Sequence, residues 1–311
     1  MGRLSASPRV EAILLLLLVT SSGARAATFR VATYNVEGYL LQSTENRPAK
    51  SAEARAKVRE GILALRPDVL ALQEIGGTNA LCELQDSLKT GGLDLPFWEL
   101  VRGPDTNINV AVLSRFPFAD RRPHTDDSFL LSGKRFRVSR GFAEVDIQVT
   151  PAYSFTLLST HLKSKRPVFS ADEAELRLEE AKLLRGHIDA RLAANPNANL
   201  VVLGDFNDTK DAASTKAVIG RYRGKLVDTR PAERNGDVYS NVAPSVADAR
   251  NVTWTHYYGK DDTYSRIDFL LASAGMAREW VTNETYVLAM PAWGLASDHR
   301  PIVATFEAAD R

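Results

Sequence analysis

The stretch LVVLGDFND, residues 200–208, brings two aspartates and an asparagine to the end of an apolar run. Residues 200–203 are continuously apolar, which is typical of a buried strand. Gly204, Asp205 and Asn207 are ordinary turn residues, so the stretch taken alone favours a simple strand-to-turn boundary. Whether it is instead part of a functional site depends on what the other strands of the chain carry at their ends.

Several other predicted strands also end in polar side chains. A sheet presents its strand ends along one edge, so residues from distant segments can converge there, although each one alone favours a structural role. Asp268 is the exception, because it lies between Ile267 and Phe269 in a run that should be buried, and a buried carboxylate needs a partner. The residues are Asn35 in TYNV, Gln73 and Glu74 in LQEI, His161 and Lys163 in THLKSK, Asp268 in SRIDFLL, and Asp298 and His299 in SDHRP.

Carboxylates, amides and histidines together are the set that phosphodiester hydrolysis requires. Carboxylates suit Mg²⁺, which keeps several waters and needs few protein ligands. The charge that builds on the phosphate must be met by cations or hydrogen-bond donors. An aspartate paired with a histidine fixes the orientation and protonation of the ring. The other three histidines, His124, His187 and His256, lack such neighbours in the sequence and are interpreted as surface or packing residues.

The motifs TYNV, LQEI, THL, GDFND, SRIDFLL and SDHRPI, in this order, resemble the endonuclease/exonuclease/phosphatase superfamily. That superfamily includes deoxyribonuclease-I-like nucleases, apurinic endonucleases, sphingomyelinases and inositol polyphosphate phosphatases. The resemblance spans about residues 29–307, and six weak motifs in the right order make a strong signal. It implies an α/β fold, a four-layer sandwich in which two mixed β-sheets pack face to face with outer helices.

The resemblance also implies a metal site. Glu74 would be the principal Mg²⁺ ligand, with Asn35 assisting near the metal and Asp298 lying beside it. Mn²⁺ or Ca²⁺ would be alternative ions at the same place.

The remaining motif residues take catalytic roles by the same resemblance. Asp205 and Asn207 would orient the attacking water and the phosphate. Asp268 would pair with His299, and His161 would donate a hydrogen bond to a phosphate oxygen.

The histidine of the THL motif narrows the branch of the superfamily. Apurinic endonucleases have a tyrosine where this chain has His161, whereas the deoxyribonuclease, sphingomyelinase and phosphatase branches share the histidine. The segment HLKSK resembles bacterial extracellular nucleases and related hydrolases. Cys82 is the only cysteine, so the chain lacks the disulfides of the animal enzymes. For the carboxylate partner of His161, the sequence offers only Asp105 as a hypothesis.

The N-terminus has the pattern of a secretory signal peptide. Arg3 and Arg9 precede the apolar run AILLLLLV, residues 12–19, and the small-residue motif ARA follows at 24–26. The run is too short to span a bilayer; the alternative is a buried N-terminal helix. We therefore expect a signal peptide over residues 1–26, cleavage near Ala26, a single domain over 27–311, and a secreted or periplasmic protein.

Composition and charge limit the substrates. The chain has 311 residues, of which 44% are apolar and 25% charged, so one large core is expected. The formal net charge of +1 becomes −1 when residues 1–26 are removed, which excludes a broad polycationic DNA-binding face. Phosphate recognition must therefore be local, and we expect Arg140 and Lys163 to contact substrate. These two belong to the basic clusters Lys134, Arg135, Arg137, Arg140 and Lys163, Lys165, Arg166.

Periodicity predicts the main elements. Helices are expected over 51–65 and 171–194, the second begun by a capping box of Ser170 and Glu173. Residues 115–140 form the longest irregular stretch, and long loops tend to be functional. The predicted strands are 28–36, 67–75, 97–101, 109–114, 142–149, 153–160, 200–204, 253–258, 266–272 and 300–308.

Three functions fit this sequence. The first is a secreted, metal-dependent phosphodiesterase, a nuclease acting on extracellular DNA or RNA, and active as a monomer without a stable protein partner. The second is a sphingomyelinase-like or small phosphate-ester hydrolase, which an exposed aromatic hairpin would favour. The nearest aromatic stretches, PFWEL at 96–100 and MPAWGL at 290–295, are interpreted as core. The third is an inactive binding module, which the complete set of site residues argues against.

Overall fold

The computed structural model describes residues 2, 27–233 and 253–309. Residues 1–26, predicted to be a signal peptide, lie outside this part of the chain apart from Gly2. Two mixed sheets dominate the fold, and their strands are numbered along the chain. The larger sheet has the order β12 (Ala232–Glu233), β16 (Trp280–Val287), β17 (Ile302–Glu307), β1 (Thr28–Tyr39), β2 (Val69–Ile75), β4 (Asn109–Ser114) and β3 (Phe97–Val101).

The second sheet has six strands, and two small hairpins complete the β structure of the described residues. The sheet order is β11 (Val227–Asp228), β15 (Asp268–Ala272), β10 (Leu200–Asp205), β9 (Tyr153–His161), β8 (Phe142–Thr150) and β5 (Phe118–His124). The hairpins are β6 (Ser128–Leu131) with β7 (Lys134–Arg137), and β13 (His256–Tyr258) with β14 (Thr263–Ser265).

Three hydrophobic clusters produce four layers. The central cluster joins the two sheets face to face, with residues such as Val69 and Leu203 fully buried between them. A second cluster packs α1 (Ala52–Leu65) and α2 (Thr78–Thr90) on the outer face of the larger sheet. A third packs α3 (Glu173–Ala194) and α4 (Ala213–Ile219) on the outer face of the other sheet; α5 (Ala274–Ala277) is short. This arrangement confirms the predicted four-layer α/β sandwich.

The strand register explains why polar strand ends meet. In the six-stranded sheet, Asp205 on β10 lies beside His161 on the parallel strand β9 and opposite Asp268 on the antiparallel strand β15. In the other sheet, Asn35 on β1 lies beside Gln73 on the parallel strand β2. The two sheets therefore deliver their polar residues to one edge of the sandwich.

Gly204 allows β10 to approach β9 at this edge. Its φ is +131°, and an added Cβ would lie 2.0 Å from the carbonyl oxygen of Thr160. No side chain fits there, because contacts this short are forbidden by steric repulsion. The glycine of GDFND is thus required by the close strand pairing that places Asp205 next to His161.

Most predicted elements are present, and three predictions were wrong. Helix α3 begins at Glu173 with Asp172 as its N-cap, whose carboxylate accepts from the amides of Ala174 and Glu175, so Ser170 forms no capping box. Residues 115–140 are not irregular, because they contain β5, β6 and β7. The strand predicted over 253–258 is confined to His256–Tyr258. Strand β16 and helix α2 were not predicted.

The described part of the chain contains no helix long and apolar enough to cross a membrane.

Candidate active site

Asp268 and His299 form a buried hydrogen-bonded pair. His299 Nδ1 lies 2.8 Å from Asp268 Oδ2, and both side chains are almost fully buried. Burial acts to lower the pKa of the His299 imidazole, but the carboxylates of Asp268, Asp205 and Asp298 outweigh it and hold that pKa well above its usual value. The ring therefore carries its proton toward the centre of the site on Nε2, which lies 3.7 Å from Asp205 Oδ2.

Asp205 is the centre of the cluster. Its Oδ2 accepts a hydrogen bond from Asn35 Nδ2 at 3.0 Å, which links the two sheets. Its Oδ1 accepts from the backbone amide of Asn207 at 2.8 Å. The side chain is 1% exposed, and burial raises the pKa of its carboxyl although nearby His299 acts in the opposite direction. A carboxylate with both oxygens hydrogen-bonded in this way has a fixed orientation, as a proton acceptor for a bound water requires.

His161 faces two carboxylates with one nitrogen and has no hydrogen-bond partner on the other. Its Nε2 lies 3.4 Å from Asp205 Oδ2 and 3.9 Å from Glu74 Oε1, so this nitrogen carries the proton of the neutral ring. Burial, and next the charge of Arg140, lower the pKa of His161 well below its usual value. Nδ1 is buried and unpaired. Asp105, proposed as the partner of His161, instead pairs with Arg140 at 3.7 Å.

The carbonyl oxygen of Leu162 joins two further predicted residues to the site. It accepts a hydrogen bond from Asn207 Nδ2 at 2.9 Å and another from the guanidinium of Arg140 at 3.2 Å. Because Leu162 follows His161 directly, Arg140 and Asn207 lie next to that histidine. Lys163 is different, since its ammonium donates to the carbonyls of Ser164 and Arg166 and so folds back on its own loop.

Carboxylates line the opposite side of the cluster. Glu74 Oε2 pairs with Arg47 at 3.4 Å, and the backbone amide of Asp298 donates to Glu37 Oε2 at 3.1 Å. Burial, and next the neighbouring Asp298 carboxylate, raise the pKa of Glu37, and the Glu74 carboxylate acts in the same direction. Three acidic side chains therefore share one region, where Lys50 lies 3.8 Å from Glu37 Oε2.

This acidic region has the chemistry of a Mg²⁺ site. Glu37, Glu74 and Asp298 offer hard carboxylate oxygens, which Mg²⁺ prefers as ligands. Carboxylates that raise one another's pKa are stabilised by a cation among them. The residues present thus fit the metal that the sequence implied. Asn35 lies close by, because its Oδ1 accepts a hydrogen bond from the backbone amide of Glu37 at 3.0 Å.

Two groups of side chains in the site, neither of them the acidic region, have metal-ligand spacing. One contains Asp205, Asp268 and His299, and the other contains His256, Asp298 and His299. In the first group, the hydrogen bond between Asp268 and His299 Nδ1 already uses one potential ligand atom of each residue. A divalent metal in that group would have to compete with this bond, so the acidic region offers the more available ligands.

The backbone is strained near the ends of the strands that carry the site. Glu37, Glu74 and Asn207 have φ values of +46°, +61° and +54°, in the left-handed region that non-glycine residues seldom adopt. Such conformations cost free energy and cluster at functional sites. Here they turn the three side chains out of regular strand geometry toward the shared edge.

Two residues of this region were missed or misread in the sequence. His256 was interpreted as a surface or packing residue, but its Nε2 lies 3.6 Å from Asp298 Oδ2 and its ring lies 4.6 Å from that of His299. Glu37 was not singled out at all. Its available signal was an acidic residue two positions after Asn35 and directly before a glycine. His256 had no local signal, because the β13–β14 hairpin brings it into place.

The other two histidines also have acidic neighbours. The rings of His124 and His187 stack with centroids 3.7 Å apart, and their Nε2 atoms lie 2.7 Å from Glu144 and 2.6 Å from Asp127. His124, Asp127 and His187 have metal-ligand spacing. However, a shared metal must lie in both ring planes, and planes stacked at 27° do not converge at ligand distance. The cluster instead ties β5 and α3 together.

The β13–β14 hairpin, which begins with His256, carries exposed aromatic side chains. Tyr258 and Tyr264 are 44% and 56% exposed. Sequence reasoning had found no exposed aromatic hairpin, because it predicted a strand over 253–258 but not the partner strand Thr263–Ser265. The stretches interpreted as core are also partly exposed, with Trp98 at 36% and Leu295 at 41%.

The fold and this site define a class of protein. The sequence profile of the Endonuclease/Exonuclease/phosphatase family matches residues 32–299. The chain belongs to this family. Its class is that of metal-dependent phosphoesterases, and Asp205, Asp268 and His299 have the spacing of a candidate buried metal site.

Solved structures show the same fold. A truncated TDP2 from Caenorhabditis elegans has a TM-score of 0.59 at 17% identity, over 90% of this chain and 98% of that one. Sphingomyelinase C from Streptomyces griseocarneus has a TM-score of 0.58 at 18% identity, over 90% and 100%. The 3′ phosphatase NExo (D146N) from Neisseria, bound to a product DNA hairpin, has a TM-score of 0.56 at 17% identity, over 90% and 99%. No protein with a curated description matches the chain significantly in sequence.

Proposed function

We propose that this protein is a Mg²⁺-dependent phosphodiesterase that cleaves nucleic acid. The observation that carries the proposal is the position of His161 and of the Asp268-paired His299, each with its Nε2 within 4 Å of Asp205 Oδ2 at the edge of the two sheets. Such a cluster supplies a proton acceptor and two hydrogen-bond donors around one point, as attack of water on a phosphodiester requires.

Each residue acts from the position that its contacts fix. Asp205, oriented by Asn35 and Asn207, accepts the proton of the attacking water. His299 donates from Nε2 to a phosphate oxygen, and Asp268 holds its ring. His161 donates from its own Nε2 to another oxygen of the same phosphate.

The metal would be held by the acidic region of Glu37, Glu74 and Asp298. When bound, Mg²⁺ would neutralise charge on the phosphate and the leaving oxygen. Without it, the three carboxylates would repel an anionic substrate, so activity should depend strictly on a divalent ion.

Nucleic acid is favoured over lipid by the charges on two exposed hairpins. The β6–β7 hairpin carries exposed Lys134, Arg135 and Arg137, which suit a polyanionic strand. The tip of the aromatic hairpin, residues 259–262, has the sequence GKDD and is exposed. A charged tip is unsuited to insertion into a bilayer, because burying an ionised side chain there is costly.

A lipid head-group diester is the second candidate substrate. The exposed rings of Tyr258 and Tyr264 are the observation that favours it, since tyrosines are enriched at membrane surfaces. If the substrate is a lipid, sphingomyelin vesicles should be hydrolysed and Tyr258→Ala should reduce that rate.

Activity of the purified chain against defined substrates tests the proposal. Single-stranded and plasmid DNA, RNA, sphingomyelin vesicles and bis-p-nitrophenyl phosphate would each be assayed with Mg²⁺, Mn²⁺ or Ca²⁺. Cleavage of DNA or RNA in Mg²⁺ is expected. Hydrolysis of sphingomyelin with no cleavage of either nucleic acid would replace the first candidate by the second.

We further propose that the protein is exported. The basic, apolar and small-residue segments of residues 1–26 support this proposal. Expression in a bacterial host, followed by mass spectrometry of the exported protein, should give an N-terminus at Ala27. A protein that stays in the cytoplasm with residues 1–26 attached would contradict it.

A further inference from the structure

A cavity of about 510 Å³ opens beside the acidic region of the site. Gly76 and Gly77, which directly follow strand β2 and lie two and three residues after Glu74, form part of its wall. Thr44 forms another part, and its backbone amide donates to the carbonyl of Arg47, the residue that pairs with Glu74. The volume lies in the range of small-molecule binding pockets. A group next to the phosphate held at the site could therefore enter this cavity.

The lining has a distinct chemistry. None of the described residues that line the cavity is acidic, in contrast to the neighbouring acidic region. The polar side chains include one guanidinium and three amides, and they stand beside apolar side chains. These residues are Gln42, Asn79, Arg102 and Asn107, with Leu40 and Leu41.

A nucleoside matches this lining. Base edges present adjacent donors and acceptors, which amide side chains and arginine recognise, and base faces pack on apolar surfaces. Because no carboxylate lines the cavity, the lining itself adds no repulsion toward the phosphates on either side of that nucleoside. We infer that the cavity binds one nucleoside of the substrate strand, next to the phosphate that is cleaved. This inference deepens the proposed nuclease function and rests on it.

A base in this cavity cannot remain stacked and paired in a duplex. Extruding a base from a duplex costs free energy, whereas a single strand offers bases that are already free. The inference therefore predicts a preference for single-stranded over double-stranded substrates of the same sequence.

Gly77 provides a direct test. Its φ of −68° and ψ of −176° are accessible to any residue, and an added Cβ meets no atom within 4 Å. Because Gly77 lines the cavity, Gly77→Leu should place its side chain in the cavity with no clash at its Cβ. Gly186 in α3 gives the matched control, because it is exposed and a Cβ there also meets nothing within 4 Å. Asn79→Ala is the complementary variant, since it removes an amide and adds nothing.

The experiment compares steady-state kinetics of the wild type and the three variants on two substrates. One is a single-stranded oligonucleotide, as DNA and as RNA, and the other is methyl p-nitrophenyl phosphate, which has no nucleoside. Gly77→Leu should raise the KM for the oligonucleotide by about tenfold or more, because one bound base contributes that much. Its rate on the small ester, and both rates of Gly186→Leu, should stay within about twofold of wild type. Asn79→Ala should raise the oligonucleotide KM less than Gly77→Leu does.

The outcomes separate the inference from the function beneath it. If Gly77→Leu and Asn79→Ala both cleave the oligonucleotide with the same KM and kcat as the wild type, the nucleoside site is overturned. The nuclease assignment would then still stand. An equal loss on both substrates in Gly77→Leu would also overturn it, because the damage would lie at the catalytic cluster. Hydrolysis of the small ester by a wild-type protein that cleaves neither DNA nor RNA would overturn the proposed function itself.

Discussion

His299 and Asp268 are joined by a buried hydrogen bond of 2.8 Å between Nδ1 and Oδ2. They come from different places in the fold, since Asp268 begins β15 in one sheet and His299 precedes β17 in the other. The bond therefore links the two sheets at the site as well as fixing the ring. Residues joined in this way act as a unit, and their contributions to a rate are not additive.

Asp268→Asn and His299→Ala should each lower kcat on bis-p-nitrophenyl phosphate by about a hundredfold or more. The double mutant should be little worse than either single mutant, because each change already disables the unit. Steady-state kinetics of the three variants decides the matter. Losses that multiply in the double mutant would show independent roles and refute the coupling.

Glu180 should position two catalytic loops without touching substrate. Its buried carboxylate accepts from the amide of Ser139 at 2.9 Å and from the amide of Lys163 at 2.6 Å, next to Arg140 and close to His161. Glu180→Gln replaces one acceptor by a donor that faces a backbone N–H, which should cost about 1–3 kcal/mol of unfolding free energy. We expect a Tm lower by several degrees and a reduced kcat.

Glu179→Gln is the control for this prediction, because Glu179 is adjacent and pairs only with Lys182 at 2.6 Å among the described ion pairs. Thermal unfolding and phosphodiester kinetics would be measured for both variants. If Glu180→Gln matched Glu179→Gln in Tm and in kcat, the positioning role would be wrong.

Arg140 should act on substrate binding. Its guanidinium lies at the Leu162 carbonyl beside His161, and its Nε atom is buried without a hydrogen-bond partner. Arg140→Ala should raise the KM for phosphodiesters by about tenfold, since a charge-assisted contact to phosphate is lost. Arg140→Lys should recover part of the lost substrate binding. Arg115→Ala, which removes an exposed guanidinium paired with Asp68, should leave the KM unchanged. An unaltered KM in Arg140→Ala would remove Arg140 from the binding site.

Glu144 should make stability depend on pH in the acid range. Burial acts to raise the pKa of its carboxyl, but hydrogen bonds from His124 and Arg122 outweigh burial and lower the pKa to about 2. Because the folded pKa lies below the unfolded one, the stabilisation is complete above about pH 4.5 and is lost as pH falls toward 2.

The measurement is the urea-unfolding free energy of the wild type and Glu144→Gln between pH 7 and pH 3. The wild type should be more stable at pH 7 by at most about 3 kcal/mol, and the difference should narrow toward pH 3. Glu60→Gln, at an exposed pair with Lys57, should follow the wild type throughout. A difference that stays constant with pH would show that Glu144 contributes through packing rather than charge.

The fold could be predicted largely from periodicity and motif order. Strands such as FWELV and NVAVLS have the predicted bounds, because continuous apolar or β-branched runs bounded by turn residues specify them locally. The prediction failed where local signals compete. At the start of α3, Ser170 and Asp172 are both good N-caps by residue type, and the helix uses Asp172.

The site was predictable where residues lie on central strands and unpredictable where loops bring them in. Asp205 and His161 become neighbours through strand register alone. His256 and Glu37 reach the site through a hairpin and a left-handed backbone turn, neither of which has a period in the sequence. Lys163 shows the converse, since its position after His161 suggested substrate contact but its ammonium binds its own loop.

Metal dependence of nucleic-acid cleavage, with and without Glu74, tests the central claim most directly. Cleavage of a single-stranded oligonucleotide would be followed in excess EDTA and after addition of Mg²⁺, for wild type and Glu74→Gln, with thermal unfolding as the check on folding. We predict that the wild type cleaves only when Mg²⁺ is restored, and that folded Glu74→Gln does not cleave under either condition. Cleavage that continues in EDTA, or Mg²⁺-dependent cleavage at the wild-type rate by Glu74→Gln, would contradict the account.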